Sequence, residues 1–275
     1  MPQTRGRSRS RTLESVLSQA EQLVDGGYAE IVLTGVHAGE YGLDLGAGEH
    51  LLAELMRRLL DIPGLARLRL SSIEPSTVTD EILELVAGEE RIARHFHMPF
   101  QSGSNDVLRA MRRRYSREDF IALVEKVSNL MPDCGIGTDM ICGFPGESDD
   151  DFQQSFDCLA ALPITYLHAF TYSVRPGSDA QTMGDPVPSE AKKRRVRALK
   201  KLSQDKNLRF RERQLGREVD VLPESSQRRG SSHLSGWTDN YLRVDLGRRN
   251  FVPPGLYRVR ITGVSEDGLI GEPVG

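Results

Sequence analysis

Segments of helical and of strand periodicity alternate along the first 170 residues of this chain, and that alternation restricts the fold more than any single motif does. From Thr12 onward Leu13, Val16, Leu17, Ala20, Leu23 and Val24 keep helical spacing, with Thr12 as N-cap and Gly26-Gly27 as a stop. A strand, EIVLT, follows at 30–34. The pattern then repeats: a helix carrying Leu51, Leu52, Leu55, Met56, Leu59 and Leu60, strand LRLSS at 68–72, a helix over 79–87 and strand HFHMPF at 95–100. Ser116 with Asp119 opens the next helix, strand IGTDMI occupies 136–141, a helix runs from Ser148 to Ala161, and strand TYLHAF fills 165–170. Strands that alternate with helices in this way are βα units of a parallel sheet. Five strands are too few for a closed eightfold barrel, so the expected fold is α/β, a partial, open (β/α) barrel. In such architectures ligands lie at the C-terminal ends of the strands.

The texture changes after the basic stretch SEAKKRRVRALKKLSQDKNLRFRER at 189–213. REVDVL, a glycine-punctuated run to Gly236, NYLRVDL, GLYRVRITGV and GLIGEPVG predict five short strands, a small OB-like barrel. We therefore expect two domains, 1–213 and 214–275. Acidic residues (39) slightly outnumber basic ones (36), so net charge alone names no polyanionic partner. Their distribution does: residues 1–11 carry four arginines and no acid, and 189–213 carry eleven bases against three acids, which leaves the body between them acidic. Cys134, Cys142 and Cys158 fit neither a disulfide framework nor a CxxC metal spacing. No apolar run reaches the roughly 18 residues of a membrane span, and a cytoplasmic protein with reduced thiols is expected.

The strand ends hold the candidate site. After the first strand, TGVHAGEYG offers Gly35, where backbone can approach a ligand closely, and His37; the same loop would also serve as a plain βα turn. After the second, SSIEP places Glu74 where a carboxylate can accept from a vicinal diol or amino group, or simply precede a helix-starting proline. In HFHMPFQSG, His95 and His97 alternate on one face; without a third ligand they are read as inward polar residues rather than a metal pair, and Gln101, Ser102 and Gly103 follow at the mouth. GTDMICGFPGE supplies Asp139 and a turn at Gly143 and Phe144 whose backbone groups can read an adenine edge, while Cys142 reads as a small core residue. Tyr172 and Arg175 end the series with a phenol and a guanidinium able to clamp an anion or to pair with a nearby acid.

Taken in order, RGRSRSR, EIVLTGVH, RLRLSSIEP, HFHMPFQSGS, the Met111–Tyr115 stretch, GTDMICGFPGE and YSVRPGS closely resemble the radical S-adenosylmethionine methylthiotransferases. LTGVH with RGRSRSR is most similar to the branch that methylthiolates N6-threonylcarbamoyladenosine beside the tRNA anticodon, and the final barrel resembles the TRAM RNA-binding module. The resemblance implies S-adenosylmethionine at the strand ends: Gly35 near the methionine moiety, Glu74 toward ribose or amino group, Gln101 lining the site, Gly143 and Phe144 at the adenine side, and His37, Ser102 and Asp139 as further cofactor-binding candidates. It implies a transferase that uses 4Fe–4S chemistry to insert a methylthio group at adenine C2. Its partners would be the tRNA anticodon stem-loop and an electron donor of flavodoxin or ferredoxin type. Arg5, Arg7, Arg9, Arg11, Tyr172, Arg175, Trp237, Tyr241 and Arg243 are then the candidate RNA contacts, although the arginine stretch alone reads as a basic tail and the barrel residues equally suit core or rim packing.

Where the family carries a CxxxCxxC cluster loop ahead of the arginine stretch, this sequence has MPQT. The expectation is therefore a chain that lacks the first barrel strand, the cluster loop and an N-terminal domain, leaves Glu30–Thr34 as an unprotected parallel edge, and is inactive in isolation. A cluster-free tRNA-binding remnant is the alternative; a phosphate-handling barrel enzyme without radical chemistry is a third.

Overall fold

The computed structural model describes residues 6, 8–46, 51–174, 177–184, 186–224, 234–247 and 255–274. The chain divides into two compact units, Met1–Phe96 with Arg211–Gly275, and His97–Phe210.

In the first unit, α1 (Leu13–Asp25) begins where the Thr12 hydroxyl accepts the Ser15 N–H, and stops at Gly26. β1 (Glu30–Leu33) runs parallel to β2 (Arg67–Leu70), with Ile31 opposite Leu68 and Leu33 opposite Leu70. Between them α2 (Leu52–Leu60) buries Leu55, Met56 and Leu59, the stripe its spacing predicts. α3 (Asp80–Gly88) is capped by Thr79 and buries Ile82, Leu83 and Val86. Among the described residues β1 pairs with β2 alone, so it is an edge strand.

The same unit contains the closed barrel, ordered β10-β8-β7-β6-β9. Its strands are β6 (Glu218–Pro223), β7 (Leu234–Thr238), β8 (Arg243–Gly247), β9 (Tyr257–Val264) and β10 (Leu269–Pro273). Alternation along each strand turns Val221, Val244, Leu246, Val259, Ile261 and Leu269 inward to essentially complete burial. Each such side chain contributes on the order of 1.5–3 kcal/mol. Gly236 is required in β7, because a Cβ there would strike the Leu222 carbonyl of the neighbouring strand.

The second unit is built on the sheet β3-β4-β5, entered through β3 (His95–His97), with β4 (Gly135–Cys142) parallel to β5 (Tyr166–Thr171). The strand expected over 95–100 is shorter than its sequence suggests. The Phe100 N–H is shared between Asp139 O (3.2 Å) and Thr138 Oγ1 (3.0 Å), and Gln101 then turns through φ +69°. α4 (Asn105–Ala110) and α5 (Arg117–Leu130) lie between β3 and β4 in the chain, and α6 (Asp149–Ala161) between β4 and β5. Capping boxes start α5 (Ser116 with Asp119) and α6 (Ser148 with Asp151), so both helix starts follow directly from local sequence. Phe100 stacks on Phe120 with centroids 4.2 Å apart, over buried Val124 and Val127. The basic stretch forms α7, Ser189–Glu212.

Candidate functional site

Within the first unit, β1 ends in an exposed loop containing Gly35 and His37. A Cβ at Gly35 would make ordinary van der Waals contact with the Ala38 backbone at 3.7 Å. The tail of the arginine stretch is fastened to the same loop: the Gly42 N–H donates to Ser10 Oγ (3.1 Å) and the Ser10 N–H to Asp44 (2.9 Å). Arg11 turns back on α1, donating to Ser15 Oγ (2.7 Å) and to Gln19, while Arg9 is exposed; Arg5 and Arg7 lie outside the described residues. Glu74 is half-buried at the start of the turn after β2, and its carbonyl accepts from Thr77 N and Oγ1. Tyr41, which sequence reasoning passed over, brings a buried hydroxyl without a hydrogen-bond partner among the described residues, its phenol pushed up by burial and then by Glu14 and Asp44.

Sheet and barrel meet in this unit through charge and stacking. Arg67 and Arg69 alternate on β2 and both pair with Glu30 of β1, Arg69 Nε at 2.9 Å. Their remaining donors reach barrel carbonyls: Arg67 to Trp237 O (2.9 Å), Arg69 to Thr238 O and Asp239 O (2.8 Å each). Tyr241, itself at φ +66°, stacks on His95 (4.5 Å) and on Trp237 (4.8 Å), which commits both faces of its ring. Trp237 Nε1 donates to Glu224 (2.8 Å) and Arg243 to Ser235 Oγ (2.7 Å). Each of the three barrel candidates thus holds a partner within the chain.

In the second unit the strand-end candidates converge. Gln101 N donates to Asp139 O (2.8 Å), and Ile141 N to Gln101 O (3.1 Å), which lays the QSG segment along β4. Gln101 is 6% exposed, yet among the described residues its Oε1 has no hydrogen-bond partner. Ser102 is buried and accepts the Ser104 N–H, while Gly103 N donates to Ser155 Oγ (2.7 Å) on α6. His97 Nε2 lies 3.1 Å from Asp139 Oδ1, and Asp139 is in register with His168 on β5. The two imidazoles stand 5.6 Å apart, with Tyr166 beside both. Burial, then the His97 charge, hold the His168 imidazole below its ordinary value against the pull of Asp139.

The turn after β4 is held from behind. Gly143 adopts φ +83° and its N–H donates to the Glu147 carboxylate. Glu147 is fully shielded and pairs with Arg195 of α7 at 3.0 Å. Burial pushes the Glu147 carboxyl up, and the Gly143 N–H and Arg195 oppose that push. Lys192 lies against Gly143, where any Cβ would come within 2.5 Å of its methylenes, and donates to Tyr172 O (3.3 Å). Phe144 meets Tyr172 edge-on at 5.1 Å. Arg175 lies outside the described residues. His168, Glu147 and Arg195 were not singled out in the sequence: Glu147 stood in the quoted turn, but its partner is 48 residues away.

Parallel βα units with polar, glycine-bearing strand ends define a barrel-type α/β protein. Within that class the chain belongs to the Radical SAM superfamily, whose sequence profile matches residues 1–159. It is 39% identical over 265 residues to the threonylcarbamoyladenosine tRNA methylthiotransferase MtaB of Thermotoga maritima, covering 96% of this chain and 59% of that one. The corresponding Bacillus subtilis protein is 38% identical over 247 residues (89% and 54%), and the tRNA-2-methylthio-N(6)-dimethylallyladenosine synthase of Carboxydothermus hydrogenoformans is 37% identical over 263 residues (95% and 59%). The chain thus spans somewhat over half the length of these relatives. Coproporphyrinogen III oxidase (HemN) from Escherichia coli, a radical SAM enzyme, shares the fold with a TM-score of 0.53 at 13% identity, over 86% of this chain and 60% of that one.

The superfamily's cofactors are S-adenosylmethionine and a 4Fe–4S cluster. The described residues do not fit the cluster. No three His, Cys, Asp or Glu side chains among them could hold a metal, Cys134 and Cys142 are buried, and burial pushes the Cys142 and Cys158 thiols up to about 12 and about 11, away from the thiolate a cluster needs. They do fit a polar organic cofactor: Gln101, at φ +69°, presents a buried acceptor with no hydrogen-bond partner among the described residues. Among the described residues no helix is long and apolar enough to cross a membrane.

Proposed function

We propose that this chain is the cofactor- and RNA-handling part of a cytoplasmic tRNA methylthiotransferase acting on N6-threonylcarbamoyladenosine at adenine C2. The observation that carries the reading is the 39% identity to a threonylcarbamoyladenosine methylthiotransferase over 96% of the chain. Given one electron from a cluster that the described residues do not themselves hold, bound S-adenosylmethionine would supply the carbon-centred radical that removes hydrogen from the substrate.

The chain's own residues bind and orient. Gly35 and His37 are assigned to the methionine end, Glu74 to the ribose or amino group, and Gln101, Ser102 and Asp139 to the polar wall. Gly143 and Phe144 are assigned to the adenine edge, in the turn that Glu147 and Arg195 hold rigid. Arg5, Arg7, Arg9, Arg11, Tyr172 and Arg175 are assigned to the anticodon stem-loop. Residues 214–275 are proposed as a TRAM-like RNA-binding module after a barrel domain of residues 1–213, with Trp237, Tyr241 and Arg243 on its RNA side. A flavodoxin- or ferredoxin-type protein would supply electrons.

A second reading, tRNA binding without catalysis, is favoured by the lack of a cluster-ligand set among the described residues. The chain is expressed in a bacterial strain without tRNA methylthiolation, and its tRNA nucleosides are separated and weighed by mass spectrometry. Appearance of 2-methylthio-N6-threonylcarbamoyladenosine supports the enzyme. If only the dimethylallyl derivative appears, the substrate assignment fails. Unmodified tRNA, together with a purified chain that binds the anticodon stem-loop but neither S-adenosylmethionine nor iron after anaerobic reconstitution, supports the second reading.

A further inference from the structure

Helix α7 carries ten basic residues, and the structure sorts them by task. Four are used internally. Lys192 lies on Gly143 and reaches Tyr172 O, and Arg195 pairs with Glu147 and Asp149. Lys206 donates to Ala160 O and Leu162 O at the end of α6, and Arg211 to Ser265 O and Glu266 O. Two more are shared with surface acids, Lys193 with Glu190 at 2.8 Å and Arg194 with Asp149 at 3.8 Å.

Arg197, Lys200, Lys201 and Arg209 are different. All four are exposed, and among the described residues none makes an ion pair or a side-chain hydrogen bond. At 100° per residue Lys193, Arg197, Lys200 and Lys201 share the outward face, opposite buried Arg195, Leu199 and Phe210. From Lys193 to Lys201 that row extends about 12 Å along the axis.

An ordinary solvated helix face interleaves Glu with Lys at i and i+4, each pair supporting the other. Here the spacing is filled with like charge: Lys193 to Arg197 and Arg197 to Lys201 are i, i+4, while Arg194 to Arg197 and Arg197 to Lys200 are i, i+3. Asp205 follows only at the flank, four residues after Lys201. These repulsions oppose the helix; Glu190 and Asp149 offset them at Lys193 and Arg194, and among the described residues no acid pairs with Arg197, Lys200 or Lys201. The rest of the chain is net acidic between residues 12 and 188, so a polyanion is repelled from most of the surface and attracted to this row.

We infer that the outward face of α7, centred on Arg197, Lys200 and Lys201, binds the phosphodiester backbone of RNA. The inference rests on the tRNA reading above and adds the surface to it: a sequence-independent backbone contact that sets the orientation of the RNA and leaves base recognition to other residues.

The test uses the full 275-residue chain with a fluorescein-labelled anticodon stem-loop, measuring anisotropy over about 0.05–0.4 M KCl. The variant carries Arg197→Gln, Lys200→Gln and Lys201→Gln together; a control removes equal charge elsewhere on the surface with Arg57→Gln, Arg58→Gln and Lys126→Gln. Circular dichroism checks that each is folded. The outward-face variant is expected to bind roughly tenfold or more weakly at the lowest salt, with the slope of log affinity against log salt reduced by about 2, while the control keeps most of both. A wild-type chain that binds the stem-loop with a slope unchanged in the α7 variant overturns this inference and spares the tRNA reading. A wild-type chain that binds no RNA, or binds polyglutamate better than RNA, overturns both.

Discussion

Glu147 and Arg195 form an ion pair, Oε2 to Nη1 at 3.0 Å, with the carboxylate side chain at 0% and the guanidinium at 4% exposure. The pair lies behind the Gly143–Phe144 turn and ties it to α7. Removing the cation strands a buried carboxylate, so Arg195→Met is expected to cost about 3–5 kcal/mol, read as a lowered urea midpoint. The loss depends on pH. Burial raises the Glu147 carboxyl, so its stabilising share is complete below the unfolded value and fades as pH rises through the folded one. Without Arg195 the carboxyl rises further, and the variant should be less impaired at about pH 5 than at about pH 8. Equal losses at the two pH values would show that the pair is not what holds the turn.

The three ion-paired residues of the first unit make a second case. Glu30 holds Arg67 and Arg69, whose side chains are 2% and 5% exposed and whose other donors engage carbonyls of β7 and of the residues just after it. Glu30→Gln is expected to destabilise by about 3–5 kcal/mol, because two guanidiniums lose their counter-charge at once. Arg67→Met with Glu30→Leu, which removes charge from both sides, should recover part of that loss. A double-mutant cycle in urea checks it, and additive losses would contradict the coupling.

His168 offers a spectroscopic test. Its imidazole is held below the ordinary value by burial and then by His97, against Asp139. A lowered folded value means that the group destabilises the fold only as pH falls below its unfolded value of about 6.5. In an NMR titration the His168 ring proton should move with a midpoint below that value, and Asp139→Asn should lower it again by removing the one favourable charge. A midpoint at or above the free-histidine value would mean that the strand face is wetter than the register of β4 and β5 implies.

Much of this was legible in the sequence, and the parts that were not share a physical cause. Ser116 with Asp119 and Ser148 with Asp151 close their boxes across three residues, so both helix starts could be read directly. The alternation in YRVRITGV likewise carries Val259 and Ile261 into the barrel interior. α4 was missed because six residues are under two turns, too short to show a period. Glu30 with Arg67, Glu147 with Arg195 and Asp139 with His168 depend on which strands or helices become neighbours, and no local pattern encodes that. Gln101 was recognised by its place after a strand, but its left-handed backbone was not foreseeable, since that conformation usually selects glycine.

The cysteines give a chemical prediction. Burial pushes the Cys142 thiol up to about 12, with Glu147 adding to the effect, and Cys158 up to about 11. Both should resist iodoacetamide in the native chain at about pH 8, since the thiolate is the nucleophile, and should react once guanidinium unfolds it. Mass spectrometry of tryptic peptides reads the outcome. Rapid stoichiometric labelling of either in the folded chain would reopen them as cluster ligands.

Gln101 separates stability from ligand binding. Its Oε1 is buried without a partner among the described residues, a state that costs about 1–3 kcal/mol until a donor arrives. Methionine has a similar length, no branching at Cβ and no strong acceptor, so Gln101→Met should fill the same space at φ +69° with the backbone strain unchanged. The apo variant is therefore expected to be as stable as the parent or more so, by up to about 1 kcal/mol in urea, since the unmade hydrogen bond is gone. S-adenosylhomocysteine binding, followed by calorimetry on the same two chains, should weaken roughly tenfold, the equivalent of one lost hydrogen bond of about 1.4 kcal/mol. A variant that loses stability and keeps its affinity would assign Gln101 to the packing of the β3–β4 junction instead of the cofactor wall.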